Sequence, residues 1–96
     1  MENIGNIFKV EREKKGLLLR QVASAIDIDQ AVLSKIERGD RSATKQQLMD
    51  LIKYFKLDEK EILVEWYSQK ISSDLQKEDL AIDILNKSIK KIKANK

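Results

Sequence analysis

The side chains that usually do covalent or metal chemistry are missing from this 96-residue chain, which has no His and no Cys. Zinc sites of the Cys/His kind, Cys- and His-based triads, disulfide scaffolds and c-type haem attachment therefore have no atoms to use. Ser34 and Lys35 are neighbours in sequence rather than stacked one helical turn apart, and the carboxylates form no recognisable acid–base pair. Catalysis is not expected, nor is a metal, a cofactor or a small-molecule ligand. The chemistry that remains is that of cations, with 19 Lys+Arg against 16 Asp+Glu for a net charge of +3.

How that charge is distributed says more than its total. Residues 1–57 carry 11 basic and 8 acidic side chains, residues 58–86 carry 3 and 8, and residues 87–96 carry 5 Lys and no acid. A basic front half permits a polyanionic partner, while the acidic middle is poorly suited to lie on phosphates. No apolar run approaches the ~20 residues that span a bilayer, and Met1 leads into no signal-like stretch, so a cytoplasmic protein without membrane contact is expected.

The elements that must position these cations read as helices, because no useful length of chain alternates apolar and polar residues. A first helix is predicted over residues 4–15, with Ile4, Ile7 and Phe8 facing inward and Gly16 as its left-handed stop. A short second helix covers residues 19–26, with Leu19, Val22, Ala23 and Ile26 at helical spacing, and Asp27-Ile28 forms the turn. Asp29 should cap a third helix that buries Leu33 and Ile36, runs to Arg38 and stops at Gly39. A fourth helix, residues 45–55, follows Thr44 and buries Leu48, Leu51, Ile52 and Phe55.

Asp58-x-x-Glu61 resembles a capping box and opens a fifth helix carrying Ile62, Leu63, Trp66, Tyr67 and Ile71. Trp66 and Tyr67 lie in the acidic stretch, so core or interface packing suits them better than base stacking. Ser72-Ser73-Asp74 reads as a break. From Glu78 onward Ile82, Leu85, Ile89 and Ile92 recur at +3, +4 and +3, broadened by Ala81 and Ile84. That amphipathic stripe needs an apolar partner.

Residues 18–39, LLRQVASAIDIDQAVLSKIERG, combine a short helix, a tight turn and a second helix ending on Gly. Two helices crossing that closely require a small residue inside the first, and Ala23 supplies it. With Arg12-x-x-Lys15-Gly16-Leu17, the run Leu33-Ser34-Lys35-Ile36-Glu37-Arg38-Gly39, and Leu48, Leu51 and Leu57 behind it, the chain resembles the lambda-repressor/Cro-like, or XRE, helix-turn-helix family. The resemblance covers residues 3–67. Three positions depart from the family pattern: Leu18-Leu19 replace the usual Thr-Gln or Ser-Gln, Asp27 replaces the turn Gly, and Glu11 stands where an apolar residue is commoner.

The resemblance implies an all-α fold with a five-helix lambda-repressor-like domain over residues 1–71, to which the apolar stripe adds a C-terminal dimerisation helix with a Lys-rich tail over 72–96. It implies double-stranded DNA as partner, with Gln30, Ala31, Ser34 and Lys35 facing base edges. Arg20, Arg38, Arg41 and Lys45 would meet phosphates, and an Arg12–Glu37 ion pair would tie the first helix to the third. The Ile82/Leu85/Ile89/Ile92 stripe would join two copies, giving a homodimeric transcriptional regulator, small repressor or controller, on a pseudo-palindromic operator. The alternative is an interaction module, an antitoxin or adaptor, whose last helix binds a different protein.

Overall fold

The computed structural model describes residues 3–96, which form six helices and, among the described residues, no strand. These are α1 (Ile4–Lys14), α2 (Leu19–Ala25), α3 (Gln30–Arg38), α4 (Lys45–Phe55), α5 (Glu59–Leu75) and α6 (Ala81–Ala94). The first four begin and end within about a residue of where periodicity and stop signals put them.

Their starts differ in how the free N–H groups of the first turn are met. Thr44 and Gln47 make a full capping box: Gln47 N–H donates to Thr44 Oγ1 at 3.1 Å and Thr44 N–H to Gln47 Oε1 at 3.0 Å. Leu18 has no acceptor to offer, so only the returning half exists at α2, where Leu18 N–H donates to Gln21 Oε1 at 2.7 Å. Asp58 accepts from Glu61 N–H at 3.2 Å. Asp29 sits at the start of α3 in extended backbone, yet its carboxylate makes no capping bond. The capping bond expected of it is therefore absent, and Asp29 contributes only its carbonyl, which accepts from Leu33 N–H at 3.1 Å.

One device ends each of the first four helices. The residue after the last turn adopts positive φ, and the next N–H bonds back five residues. These pairs are Gly16 (φ 66°) with Leu17 N–H to Arg12 O, Asp27 (57°) with Ile28 to Ala23, Gly39 (82°) with Asp40 to Lys35, and Lys56 (56°) with Leu57 to Ile52. Glycine adopts this conformation freely. Asp27 and Lys56 do so against the steric cost of a Cβ, about 1 kcal/mol each.

Two compact units result, Met1–Glu65 and Trp66–Lys96, with the division inside α5. In the first, Phe8, Val22, Leu33, Leu48 and Leu51 are almost completely excluded from solvent. Each contributes about 1.5–3 kcal/mol by burial. Phe8 of α1 and Phe55 of α4 stack with ring centroids 6.5 Å apart.

The second unit corrects the expected helix break. Ser72-Ser73-Asp74 does not break the chain; it lies within α5, which runs to Leu75. These residues cost only a few tenths of a kcal/mol each in a helix, and neither Gly nor Pro is present to stop it. The turn comes instead at residues 76–80, so α6 starts at Ala81 rather than Glu78. α6 buries none of its residues: Ile82 is 69% exposed, Ile89 49% and Ile92 57%, with Leu85 half-buried. Trp66 is buried while Tyr67 is exposed, their rings meeting edge-on at 4.9 Å.

Candidate nucleic-acid interface

What α3 can offer a partner depends on how firmly its other face is held. Leu33, Ile36 and Glu37 point inward and are at most 5% exposed. Two small residues allow the neighbouring helices to approach. Ala23 is buried in α2, and Gly5 in α1 lies so close to α3 that an added Cβ would overlap the carbonyl of Ile36. Asn3 closes the same corner: its amide donates to Glu37 O at 3.3 Å while its Oδ1 accepts from Gly5 N–H at 3.0 Å.

The strongest polar tie is between Arg12 and Glu37. Arg12 Nε donates to Glu37 Oε2 at 2.8 Å and Nη2 donates to Oε1 at 3.1 Å, a bidentate pair. Arg12 Nη1 also donates to the Leu17 carbonyl at 2.9 Å, which anchors the turn into α2. The hydrogen bond to Glu37 raises the Arg12 pKa against the opposing effect of burial, with the charges of Glu37 and Glu13 adding to the rise. Glu37 is the one buried charged residue among those described. Removing Arg12 would strand that carboxylate, which is why one pair constrains three elements at once.

With its inner face held this way, α3 presents Gln30, Ala31 and Lys35 to solvent and leaves Ser34 half-buried between them. All four candidate base-facing residues thus lie along one short helix. The candidate phosphate residues Arg20, Arg38, Arg41 and Lys45 are likewise exposed, on α2, at the end of α3, in the following loop and at the start of α4. They are not equivalent. Arg38 is engaged within the protein, donating to Ser34 Oγ at 2.8 Å and to Asp40 Oδ2 at 3.0 Å. Glu11, the unusual acid on α1, is only 22% exposed and meets Lys14 and Lys15 at 3.8 and 3.9 Å. It thereby tempers the basic end of α1 rather than the face of α3.

Three contributors escaped the sequence reading. Asn3 stands before an apolar-periodic helix and carried a capping signal. Gly5, inside that helix, carried the weaker signal of a glycine kept where alanine would be preferred. Asp40 gave no local signal at all, because its partner is fixed by the reversal of the chain at Gly39. Among the described residues no cluster of acids is arranged to hold a metal, and no helix is long and apolar enough to cross a membrane.

Comparison with known proteins agrees with this geometry. A family model described as helix-turn-helix matches residues 8–62, which contain most of α1, all of α2–α4 and the Arg12–Glu37 tie. No curated protein and no solved structure matches the chain. On more than half of its length, with α3 braced from behind and open in front, the chain belongs to the lambda-repressor/Cro-like helix-turn-helix family of DNA-binding transcription regulators.

Proposed function

We propose that two copies of this chain bind a pseudo-palindromic operator as a sequence-specific repressor or controller, each copy placing α3 in the major groove. Gln30 would bond bidentately to adenine, Lys35 would reach guanine O6/N7 and the Ala31 methyl would contact thymine. Arg20, Arg41, Lys45 and the free end of the Arg38 guanidinium would lie against phosphates and set the register. One short helix reads only a few base pairs, whereas selective regulators need ~4–10 kcal/mol of discrimination, so two modules are required.

The observation that carries the reading is α6. Ile82, Ile89 and Ile92 stand open to solvent along one seam with Leu85, and the flanking Asn86 and Ser88 are uncharged. A seam of that kind suits a second identical helix, since Lys87, Lys90 and Lys91 fall away from it and, of the lysines in α6, Lys93 alone flanks it, one heptad after Asn86. Two-fold pairing would place half-site centres ~34 Å apart. Because the dimer forms by mass action, operator occupancy would follow the protein's own concentration.

A binding-site selection with the purified protein, read alongside its sedimentation, tests this. The expected result is a dimer that enriches two inverted half-sites one helical turn apart. About six to ten phosphate contacts predict a loss of affinity of roughly 10³–10⁵ between 50 and 200 mM salt. A monomer that enriches no duplex would instead leave an interaction module whose last helix binds another protein.

A further inference from the structure

On the outward side of α3, Ser34 and Arg38 stand four residues apart, and the Arg38 guanidinium joins Ser34 to Asp40. Asp40 reaches it because Gly39 turns the chain back at φ 82°, a turn locked by Asp40 N–H on the Lys35 carbonyl at 2.9 Å. A carboxylate two residues past the end of the helix is thereby set beside the last turn.

A guanidinium only donates, so Ser34 Oγ takes part solely as acceptor and its own hydrogen is left to spend elsewhere. A helical serine ordinarily spends it on the carbonyl four residues back. Ser88 in α6 does so, donating to Ile84 O at 2.8 Å. Ser34 makes no such bond to Gln30 among the described residues. The ion pair itself is open to solvent, with Arg38 55% and Asp40 61% exposed, so it adds little to stability. Its consequence is directional.

We propose that Asp40, acting through Arg38, presents Ser34 as a hydrogen-bond donor to one base edge in each half-site. The base chosen there carries an acceptor for that hydrogen (purine N7, guanine O6 or thymine O4), whereas a cytosine amino group, which only donates, would leave the hydroxyl hydrogen unused. Asp40 is a positioning residue: its negative charge opposes phosphate, and what it supplies is the orientation of Arg38 and hence of the Ser34 hydroxyl. This rests on α3 being the base-facing helix.

The test starts from the duplex that the wild-type protein selects, followed by every single-base variant of one half-site. Affinities are then compared for wild type, Ser34→Ala, Asp40→Ala and the double substitution. Ser34→Ala and Asp40→Ala should each flatten preference at the same base pair by about 3- to 10-fold, the worth of one hydrogen bond. Elsewhere preferences should hold, and the double substitution should flatten that position no further. A merely structural role for Asp40 would lower affinity for all variants alike, and that result overturns the proposal. Effects at two different base pairs, or additive effects, also overturn it while leaving DNA recognition intact. A wild-type protein that selects no duplex overturns the DNA reading first and this inference with it.

Discussion

The two compact units spend similar apolar residues in opposite ways. In Met1–Glu65 most Leu, Ile and Phe side chains are buried, with Leu18 exposed, and four successive helices are each ended by a residue of positive φ. In Trp66–Lys96 only Trp66 is buried, and the isoleucines of α6 face solvent. Hydrophobic periodicity is as clear in α6 as in α3 and α4. The difference lies in what the chain can bring against each stripe. Short helices with sharp reversals let α1–α4 cover one another, whereas a single long helix and its neighbour leave a seam uncovered. A periodic stripe therefore announces a demand for a partner and does not say whether the partner is in the same chain.

Substitutions in the two units test that contrast. The largest effect is expected for Glu37→Ala in the first unit. It leaves Arg12 without its bidentate partner in a site 14% exposed on the Arg side, and should cost ~3–5 kcal/mol in denaturant unfolding. A loss under ~1 kcal/mol would mean that α3 is held by apolar packing alone.

Gly5→Ala comes next, since its Cβ overlaps the Ile36 carbonyl. Forcing α1 from α3 should cost at least ~1–3 kcal/mol, and unchanged unfolding would show that this crossing is slack. Lys56→Gly should act in the opposite direction, relieving positive φ after α4 and raising stability by up to ~1 kcal/mol. A decrease would reveal that the lysine stem contributes packing.

The smallest stability change is expected in the second unit. Leu85→Lys, on an α6 with no buried residue, should shift unfolding of the first unit by less than ~0.5 kcal/mol while yielding monomers in sedimentation. If stability falls sharply instead, the seam is part of a fold within one chain and the contrast between the units collapses.

Much of the DNA-reading half was legible from local signals. Gly16, Gly39 and Asp27 marked helix ends, and the spacing of Val22, Ala23, Leu33 and Ile36 marked two helices sharing one core. The Arg12–Glu37 tie came with the family pattern and appears in the structure at 2.8 Å. Local signals failed where a weak propensity competed with the absence of a stop. Ser72-Ser73-Asp74 looked like a break, yet α5 continues through it because nothing there forbids helical backbone. Lys56 gave no warning of its positive φ, because that conformation is imposed by the Leu57 N–H closing on Ile52 rather than by the lysine itself.

By itself, then, the sequence determined the kind of elements, most of their ends and the residues that one face of α3 would show. These depend on neighbours within about four residues, where spacing and side-chain chemistry act directly. Only the tertiary structure decided that Gly5 must be glycine, that Asn3 locks the far end of α3, and that Asp40 reaches Arg38 and through it Ser34. Each of those depends on a chain reversal or a crossing whose geometry is set by packing, and no residue signals alone what a distant one will place beside it.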